Sequence, residues 1–330
     1  MTVSRLSRLM AAAAVALVTV SGCAAEATGP SASGTTRVVK ADNGDITIPA
    51  DPQRVIATGY AVPVLIETGA SLVGISTWKR GLDMMAPEHR ATYDKLAKVA
   101  GEVAAETNYE AIAAAKPDLI VIGVPKPVLA DIDVKRLQSL APVVAIGPNV
   151  PHQWRELSRQ QADAAGRVGN FDAAKNAYDK KAAELKAKYA TALKGLKFGH
   201  LGGYGDVSAG NFQREFAGSW GTNVANDIGA EYYGEVKTKR PGSGSVSEAP
   251  SIEELPVSFG EATAITYTLE PDGTPGAAVK YVLDSPLWAN LPAVKAGKVF
   301  AVRYTQASTY SSAMFTLDSL DKAFAPLLTR

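Results

Sequence analysis

The apolar positions of this chain fall into short runs rich in Val and Ile, separated by stretches with helical spacing. A short apolar run between turn residues is typical of a buried strand. Strands that alternate with helices predict an α/β fold, with parallel sheets covered by helices on both faces. The predicted strands are residues 54–58, 72–76, 119–122, 143–146, 198–201, 264–267 and 299–302. The predicted helices are residues 61–68, 110–115, 129–140, 154–168, a part of 212–228, and 314–328.

One predicted helix, at residues 171–193, is longer than the others and has a single apolar stripe. Its apolar residues recur at spacings of three and four, with Lys and Glu on the other faces. At 1.5 Å per residue, a helix of this length spans roughly 35 Å. An ordinary surface helix is the alternative, but we predict a connector at 169–194 between lobes at 37–168 and 195–330. The stripe consists of Phe171, Ala174, Tyr178, Ala182, Leu185, Tyr189 and Leu193.

The first 22 residues have the pattern of an export signal. Arg5 and Arg8 precede an apolar stretch, and no acidic residue occurs before Cys23, the only cysteine. The order Val-Ser-Gly-Cys at 20–23 resembles a bacterial lipobox, in which cleavage leaves Cys23 as the first residue, carrying lipid. We expect a lipid anchor at Cys23 and a flexible tether at 23–36; a plain secretory signal is the alternative.

Composition and charge narrow the class of protein. Of 330 residues, 46% are hydrophobic and 20% are charged, the balance of a globular protein. The whole chain has 34 basic and 33 acidic residues, and removal of the signal with its two arginines leaves 32 against 33. A near-neutral chain excludes a protein that binds nucleic acid through a basic surplus. No later apolar run approaches the length of a membrane span, so we expect the lipid anchor alone to contact the membrane.

Several stretches, taken in order, resemble one protein family. They are residues 52–59 (PQRVIATG), Gly69 with 73–75, 108–120 (NYEAIAAAKPDLI), 140–144 (LAPVV), 154–156 and 287–300 (LWANLPAVKAGKVF). Together they resemble the iron-siderophore substrate-binding proteins of ABC importers, over most of the chain from about residue 37. The resemblance implies the class III solute-binding-protein fold, in which two α/β lobes are joined by one rigid helix. It also implies a ligand in the cleft between the lobes and only modest closure.

The resemblance further implies two residues that dock to the permease. In that family a glutamate on each lobe meets arginines of the transporter, and Glu110 and Glu253 stand at the matching positions. A capping box from Ser251 to Glu254 would occupy Glu254 and leave Glu253 free to point outward. The alternative is that both acids only stabilise the N-termini of their helices.

The ligand site is predicted in loops at the ends of strands. A ferric siderophore has apolar arms and an oxygen-rich face, so its site needs aromatic walls and arginine donors. Trp220, in Gly218-Ser-Trp-Gly221, resembles a cleft tryptophan of ferric-hydroxamate binders. Some of those binders have an arginine just before the Asn-x-Glu motif, but residues 101–107 contain none here, so Arg80, Arg214 or Arg303 must replace it. The candidate ligand-binding residues are Trp220, Tyr60, Trp78, Arg80, Tyr204, Phe212, Arg214, Arg303, Tyr304 and Tyr310.

Signatures of catalysis and of direct metal binding are missing from the sequence. His89, His152 and His200 lie far apart and lack the spacing of a zinc site. No nucleophile elbow and no phosphate-binding glycine loop occurs. We therefore expect no enzyme activity, no cofactor and no metal bound directly by side chains, with iron present only inside a chelate.

These features predict a monomeric, lipid-anchored protein outside the cytoplasm. It captures a ferric siderophore, of the hydroxamate or ferrioxamine type, and delivers it to an ABC permease. A catecholate siderophore, haem and a corrinoid are alternative ligands for the same fold. An extracellular siderophore-processing enzyme and a metal-ion chaperone are alternatives from other classes.

Overall fold

The computed structural model of the protein describes residues 34–329. The predicted signal peptide at 1–22, the lipid-anchor residue Cys23 and most of the predicted tether lie outside the described residues. Within the described part, two α/β lobes share one long helix.

The first lobe contains a five-stranded sheet whose strands are all parallel, in the order β5-β4-β3-β6-β7. Its β-branched strands are buried on both faces, which is why they appear in the sequence as continuous apolar runs. An antiparallel hairpin, β1 with β2, precedes this sheet. The strands are β1 Thr36–Ala41, β2 Gly44–Pro49, β3 Val55–Gly59, β4 Leu72–Ser76, β5 Lys98–Ala100, β6 Leu119–Gly123 and β7 Val143–Ala145.

The helices of the first lobe differ from the prediction in two places. The helix Pro87–Lys95 was not predicted, and the helix predicted at 129–140 is confirmed only at α4, Val134–Gln138, after a 3-10 turn at Lys126–Asp131. Asp133 caps α4 by accepting a hydrogen bond from the Arg136 N–H at 3.0 Å, and so starts a new helix at that point. The helices are α1 Ala61–Glu67, α2 Pro87–Lys95, α3 Tyr109–Ala114, α4 Val134–Gln138 and α5 Trp154–Ala164, with further 3-10 turns at Lys79–Met84, Ala104–Glu106 and Pro151–Gln153.

The connector helix α6 runs over Val168–Leu193, 26 residues, or about 39 Å at 1.5 Å per residue. This confirms the long helix predicted from the apolar stripe. Of the seven predicted stripe residues, six are buried and Ala174 is partly buried. They join a core that continues into both lobes.

The second lobe has a mixed sheet in the order β10-β9-β8-β11-β12, in which β8, β11 and β12 are parallel and β9 pairs antiparallel with both of its neighbours, β8 and β10. The strands are β8 Phe198–Leu201, β9 Arg214–Glu215, β10 Ser247–Glu248, β11 Ala264–Thr268 and β12 Val299–Val302. The helices are α7 Asn223–Asp227, α8 Leu255–Phe259, α9 Ala277–Leu283, α10 Pro286–Ala289, α11 Pro292–Lys295 and α12 Tyr310–Phe324, with 3-10 turns at Gly242–Ser245, Ile252–Glu254 and Ala325–Thr329.

Polar contacts join the lobes beside α6. The Arg155 guanidinium of α5 pairs with Asp227 of α7 at 2.5 Å, and the Trp154 indole N–H donates to Asn223 at 3.1 Å. Because these groups are largely buried, their hydrogen bonds hold one arrangement of the lobes more firmly than surface pairs would. Within residues 34–329, no helix is both long enough and apolar enough to cross a membrane.

Candidate ligand-binding cleft

The carboxyl ends of the parallel strands from both lobes face each other. In the first lobe the strand order reverses between β3 and β6, and in the second between β8 and β11. Such a reversal opens a crevice at the carboxyl ends of the two strands, where ligands bind in open α/β sheets. The crevice of the first lobe is tightly built. The Tyr60 N–H donates to the Gly123 carbonyl at 2.7 Å, and a Cβ on Gly123 would lie 2.1 Å from the Ala61 nitrogen.

A pocket of about 320 Å³ lies between these strand ends. The first lobe contributes residues 79–84, which follow β4. The second lobe contributes 203–204 after β8, 268–271 at the end of β11 and 304–306 after β12. The pocket therefore lies in the cleft between the lobes, as predicted from the fold.

Aromatic rings from both lobes meet beside the pocket. Tyr60 of the first lobe stacks on Trp220 of the second, with ring centroids 5.7 Å apart and an interplanar angle of 9°. Trp78 packs edge-on against Tyr60 at 4.9 Å and is itself buried, so it supports Tyr60 from behind. Burial raises the pKa of Tyr60, an effect that the neighbouring Arg80 partly opposes. Tyr60 and Trp220 thus form an aromatic wall beside the pocket. The prediction of Trp78 as a ligand contact is corrected: its buried ring supports Tyr60 instead.

Arg80 lies over this wall. Its guanidinium carbon is 5.0 Å from the centroid of Trp78 and 5.9 Å from that of Tyr60, within the range of a cation–π contact. Its Nε donates to Glu102 at 3.0 Å, and its side chain remains 42% exposed. Glu102 belongs to the segment that lacks the arginine expected before the Asn-x-Glu motif. Of the three arginines considered as a replacement, Arg80 is the one that contacts this segment and lines the pocket.

The opposite wall of the pocket comes from the second lobe. Tyr204 is 58% exposed, and its hydroxyl donates to Gln306 at 2.8 Å. Arg303 donates to the Tyr304 hydroxyl at 2.8 Å and to the Pro271 carbonyl. Tyr304 has a φ of +60°, a left-handed conformation that is uncommon for a residue with a side chain. Such strain is found at sites whose geometry the surrounding structure imposes.

Phe212 and Tyr310 are not brought to the pocket. Phe212 has no exposed surface and packs against Phe259 in the core of the second lobe. Tyr310, 4% exposed, is the first residue of α12 and packs against Tyr178 on α6. Their prediction as ligand contacts is corrected: each is an aromatic core residue that lies next to a loop only in sequence.

Arg214 is likewise a core residue, 1% exposed. Its guanidinium donates to backbone carbonyls of several surrounding segments, which satisfies a charge that could not otherwise be buried. This corrects the prediction of Arg214 as a donor to ligand. The acceptors are the carbonyls of Ser258 at 3.2 Å, His200 at 3.4 Å, Glu215 at 2.6 Å and Tyr233 at 3.2 Å.

Some pocket residues were not among those predicted. They are polar or charged side chains that lie at or just after the carboxyl end of a strand, or in the 3-10 turn after β4. The aromatic candidates were predicted from loops at strand ends, and the same criterion applied to polar residues would have found these too. They are Lys79, Asp83, Thr268, Glu270, Thr305 and Gln306.

Of the two predicted docking acids, Glu110 lies on α3 with its side chain 78% exposed, paired with Arg136 at 2.5 Å. The predicted N-cap of this helix is confirmed, since the Asn108 side chain accepts from the Ala111 N–H at 3.0 Å. A hydrogen bond from its own backbone N–H and then the pairing with Arg136 hold the pKa of Glu110 below its usual range.

Glu253 is exposed on the other lobe and accepts a hydrogen bond from the Ser251 hydroxyl. The predicted capping box is wrong, because Ser251 precedes a 3-10 turn and its side chain caps no backbone N–H. Glu254 instead pairs with Lys237. Whether Glu110 and Glu253 contact a permease stays a prediction.

The histidines are dispersed. His200 is fully buried, His89 is partly buried and His152 is exposed. Among residues 34–329, no three His, Cys, Asp or Glu side chains come together in a group that could hold a metal ion.

Comparison with known proteins identifies the family that has this architecture. A family model described as "Periplasmic binding protein" matches residues 57–304, which include the connector helix and most of both five-stranded sheets and of the pocket lining. The chain belongs to the periplasmic binding protein family. This confirms the family resemblance and the two-lobed α/β fold predicted from sequence, and it places the protein among substrate-binding proteins that act outside the cytoplasm.

Two curated relatives of this binding protein come from Bacillus subtilis (strain 168). The iron(3+)-hydroxamate-binding protein YxeB is 26% identical over 266 residues, covering 80% of this chain and 77% of the relative. The iron(3+)-hydroxamate-binding protein FhuD is 27% identical over 270 residues, covering 79% and 77%. Among solved structures, the siderophore periplasmic binding protein from the fuscachelin gene cluster of Thermobifida fusca is 26% identical, with a TM-score of 0.66. That alignment covers 86% of this chain and 98% of the solved one.

Proposed function

We propose that this binding protein captures a ferric siderophore of the hydroxamate type in the cleft between its lobes and delivers it to the permease of an ABC importer. The observation that carries the proposal is the pocket between opposed strand ends, with aromatic rings and an arginine on its walls. The two curated relatives, both named as iron(3+)-hydroxamate-binding proteins, support the same class of ligand.

The walls suit the two faces of such a chelate. The half-buried rings of Tyr60 and Trp220 offer apolar surface to the hydrocarbon arms. Arg80 and the phenol of Tyr304, which only accepts from Arg303, offer donors to the oxygens around iron. Because the chelator already supplies the oxygen ligands of iron, the protein needs no metal ligand of its own, and iron is cargo within the chelate.

The charges on the pocket favour a chelate with little net charge. Its lining has two basic residues, Lys79 and Arg80, and two acidic residues, Asp83 and Glu270, so the charges balance. A ferric tricatecholate, with its several negative charges, would require a cationic excess to replace its hydration. The volume, about 320 Å³, falls within the range of small-molecule sites and accommodates the chelate core, with the arms extending along the cleft.

Delivery would use the outer faces of both lobes. Glu110 and Glu253 are exposed acids, one on each lobe, and would pair with arginines of the permease. A lipid on Cys23 would keep the monomeric protein beside that permease through the tether that precedes β1.

The test is a titration of intrinsic tryptophan fluorescence with four iron or cobalt ligands: ferrioxamine, a ferric tricatecholate, haem and cobalamin. We expect saturable quenching at one equivalent by ferrioxamine, with the iron-free hydroxamate as the control that quenches less. Mass spectrometry of the released ligand then separates capture from processing, and we expect the chelator unaltered. Preferential binding of haem, cobalamin or the catecholate would contradict the hydroxamate assignment, and a cleaved chelator would favour an enzyme.

A further inference from the structure

A buried acid–histidine pair lies directly behind the turn that carries Trp220. Glu215 on β9 is 3% exposed, and His200 on β8 has no exposed surface. The Glu215 Oε2 and the His200 Nε2 are 3.7 Å apart. Two ionisable side chains are costly to bury unless other contacts require them, so the pair calls for an explanation.

The carboxylate holds the turn by its backbone. The Gly221 N–H, next in sequence to Trp220, donates to Glu215 Oε2 at 2.6 Å. The turn also packs tightly against the pair. A Cβ built on Gly221 would lie 2.0 Å from His200 Nε2 and 2.5 Å from Glu215 Oε2, so only glycine fits there.

The histidine packs against Glu215 and hydrogen-bonds to threonines next to the pocket. His200 Nδ1 lies 2.8 Å from the Thr266 hydroxyl, and Nε2 lies 3.1 Å from the Thr268 hydroxyl. The Thr268 hydroxyl is in turn 3.3 Å from that of Thr305. Thr268 and Thr305 both line the pocket, so His200 connects the pair to the pocket lining.

The protonation state of the pair follows from its surroundings. Burial raises the pKa of Glu215 to about 7, although the Gly221 N–H, the Ser219 side chain and Arg214 favour the charged form. Burial, and then Arg214, lower the pKa of His200 to about 3, so the imidazole is neutral. The other ionisable group facing the pair is Tyr232, whose hydroxyl lies 2.9 Å from that of Thr266. The carboxyl therefore takes up a proton near neutral pH, which weakens the hydrogen bond that it accepts from the Gly221 N–H.

We propose that Glu215 is a positioning residue for ligand capture: through the Gly221 N–H its carboxylate fixes the turn that presents the Trp220 indole to the cleft. Glu215 is buried and does not touch ligand. The proposal rests on the proposed function, in which Trp220 contacts the chelate, and it adds a residue that acts through Trp220.

The first experiment needs no ligand. The indole N–H resonance of Trp220, assigned with Trp220→Phe, is followed by NMR in the wild type and in variants. We expect it unmoved in Glu215→Gln, which can still accept from Gly221, and shifted or broadened in Glu215→Ala and Gly221→Ala. Gly169→Ala is the matched glycine control, because a Cβ on Gly169 meets nothing within 4 Å. An unmoved resonance in both Glu215→Ala and Gly221→Ala would overturn the proposal.

The second experiment measures the affinity for ferrioxamine between pH 6 and pH 8. We expect wild-type binding to weaken by no more than about threefold towards pH 6, because the protonated carboxyl can still accept from Gly221 through its carbonyl oxygen. Glu215→Gln, also a neutral acceptor, should stay within about threefold of the wild type at pH 8, with a flat pH profile. Glu215→Ala should bind about tenfold or more weakly, the size of a lost hydrogen bond to a charged group. An equal loss in Glu215→Gln and Glu215→Ala, or an unchanged pH profile in Glu215→Gln, would contradict the positioning role. If the wild type binds no ferrioxamine, the proposed function fails, and the ligand-free NMR comparison still decides the role of Glu215.

Discussion

Tyr60 and Trp220 stack on each other from opposite lobes, 5.7 Å apart and nearly parallel. Tyr60 directly follows β3. Trp220 lies in a turn whose Gly221 N–H donates a hydrogen bond to Glu215. Because each ring belongs to a different lobe, their separation depends on the angle between the lobes. The polar contacts beside α6, from Arg155 to Asp227 and from Trp154 to Asn223, limit how far that angle can change.

Replacement of Trp220 tests its place on the wall. Trp220→Ala should weaken the binding of ferrioxamine about tenfold, since it removes one face of an aromatic wall, and Trp220→Phe should recover part of the loss. Isothermal titration calorimetry measures both. Affinity equal to that of the wild type in Trp220→Ala would place the ligand elsewhere.

Arg80 is predicted to donate to the chelate oxygens. Arg80→Ala should weaken binding about ten- to a hundredfold, as expected for lost hydrogen bonds from a charged donor, and Arg80→Lys should be intermediate because it lacks the planar fork. The matched control is Arg90→Ala, whose side chain is also 42% exposed and ion-paired, with Asp94, but does not line the pocket. Similar losses in the two alanine variants would refute a specific role for Arg80.

Charge reversal at the two exposed acids, Glu110 and Glu253, distinguishes delivery to the permease from capture of the ligand. The double variant Glu110→Arg with Glu253→Arg should abolish uptake of radioiron chelate by cells, because it would repel arginines on the permease, while the dissociation constant for ferrioxamine stays unchanged. A reduced affinity would place these side chains in the ligand site. Unimpaired uptake would remove them from the docking surface.

The buried carboxyl of Glu215 predicts a pH dependence of stability. Its pKa is about 7 in the folded protein, above the usual value of 4.5, so the folded state binds more protons than the unfolded state between these values. The free energy of unfolding should therefore fall as pH rises through this window, by up to roughly 3 kcal/mol from this group. Buried His200, with a pKa of about 3, contributes a slope of the opposite sign in both proteins, so the prediction concerns the difference between wild type and Glu215→Gln. The free energy of unfolding of the wild type minus that of Glu215→Gln should fall as pH rises from 4 to 8 in urea unfolding. A difference that rises with pH would contradict the assignment.

Much of the fold could be predicted because buried parallel strands appear as apolar runs in the sequence. The strands β4 and β12 lie at the predicted residues, and the stripe from Phe171 to Leu193 predicted α6. The helix predicted at 129–140 is only partly confirmed, because Asp133 caps a separate short helix at Val134–Gln138. The periodic pattern alone does not show that break.

The cleft was harder to predict, because a loop position does not determine whether a side chain is exposed. Arg214 was expected at the surface of the cleft, yet it is buried in the core. Its guanidinium donates hydrogen bonds to backbone carbonyls that only the tertiary fold brings together. The pairing of His200 with Glu215 has no local pattern either. The contacts that explain it, such as that from His200 to Thr266, join residues 66 positions apart.

Anomalous X-ray scattering from iron, in crystals of the protein grown with ferrioxamine, tests the central claim most directly. We predict one iron peak per molecule in the pocket between Arg80 and Tyr304, surrounded by chelator oxygens, with no side chain ligating the metal. An iron peak outside the cleft, or iron ligated by protein side chains, would contradict the account.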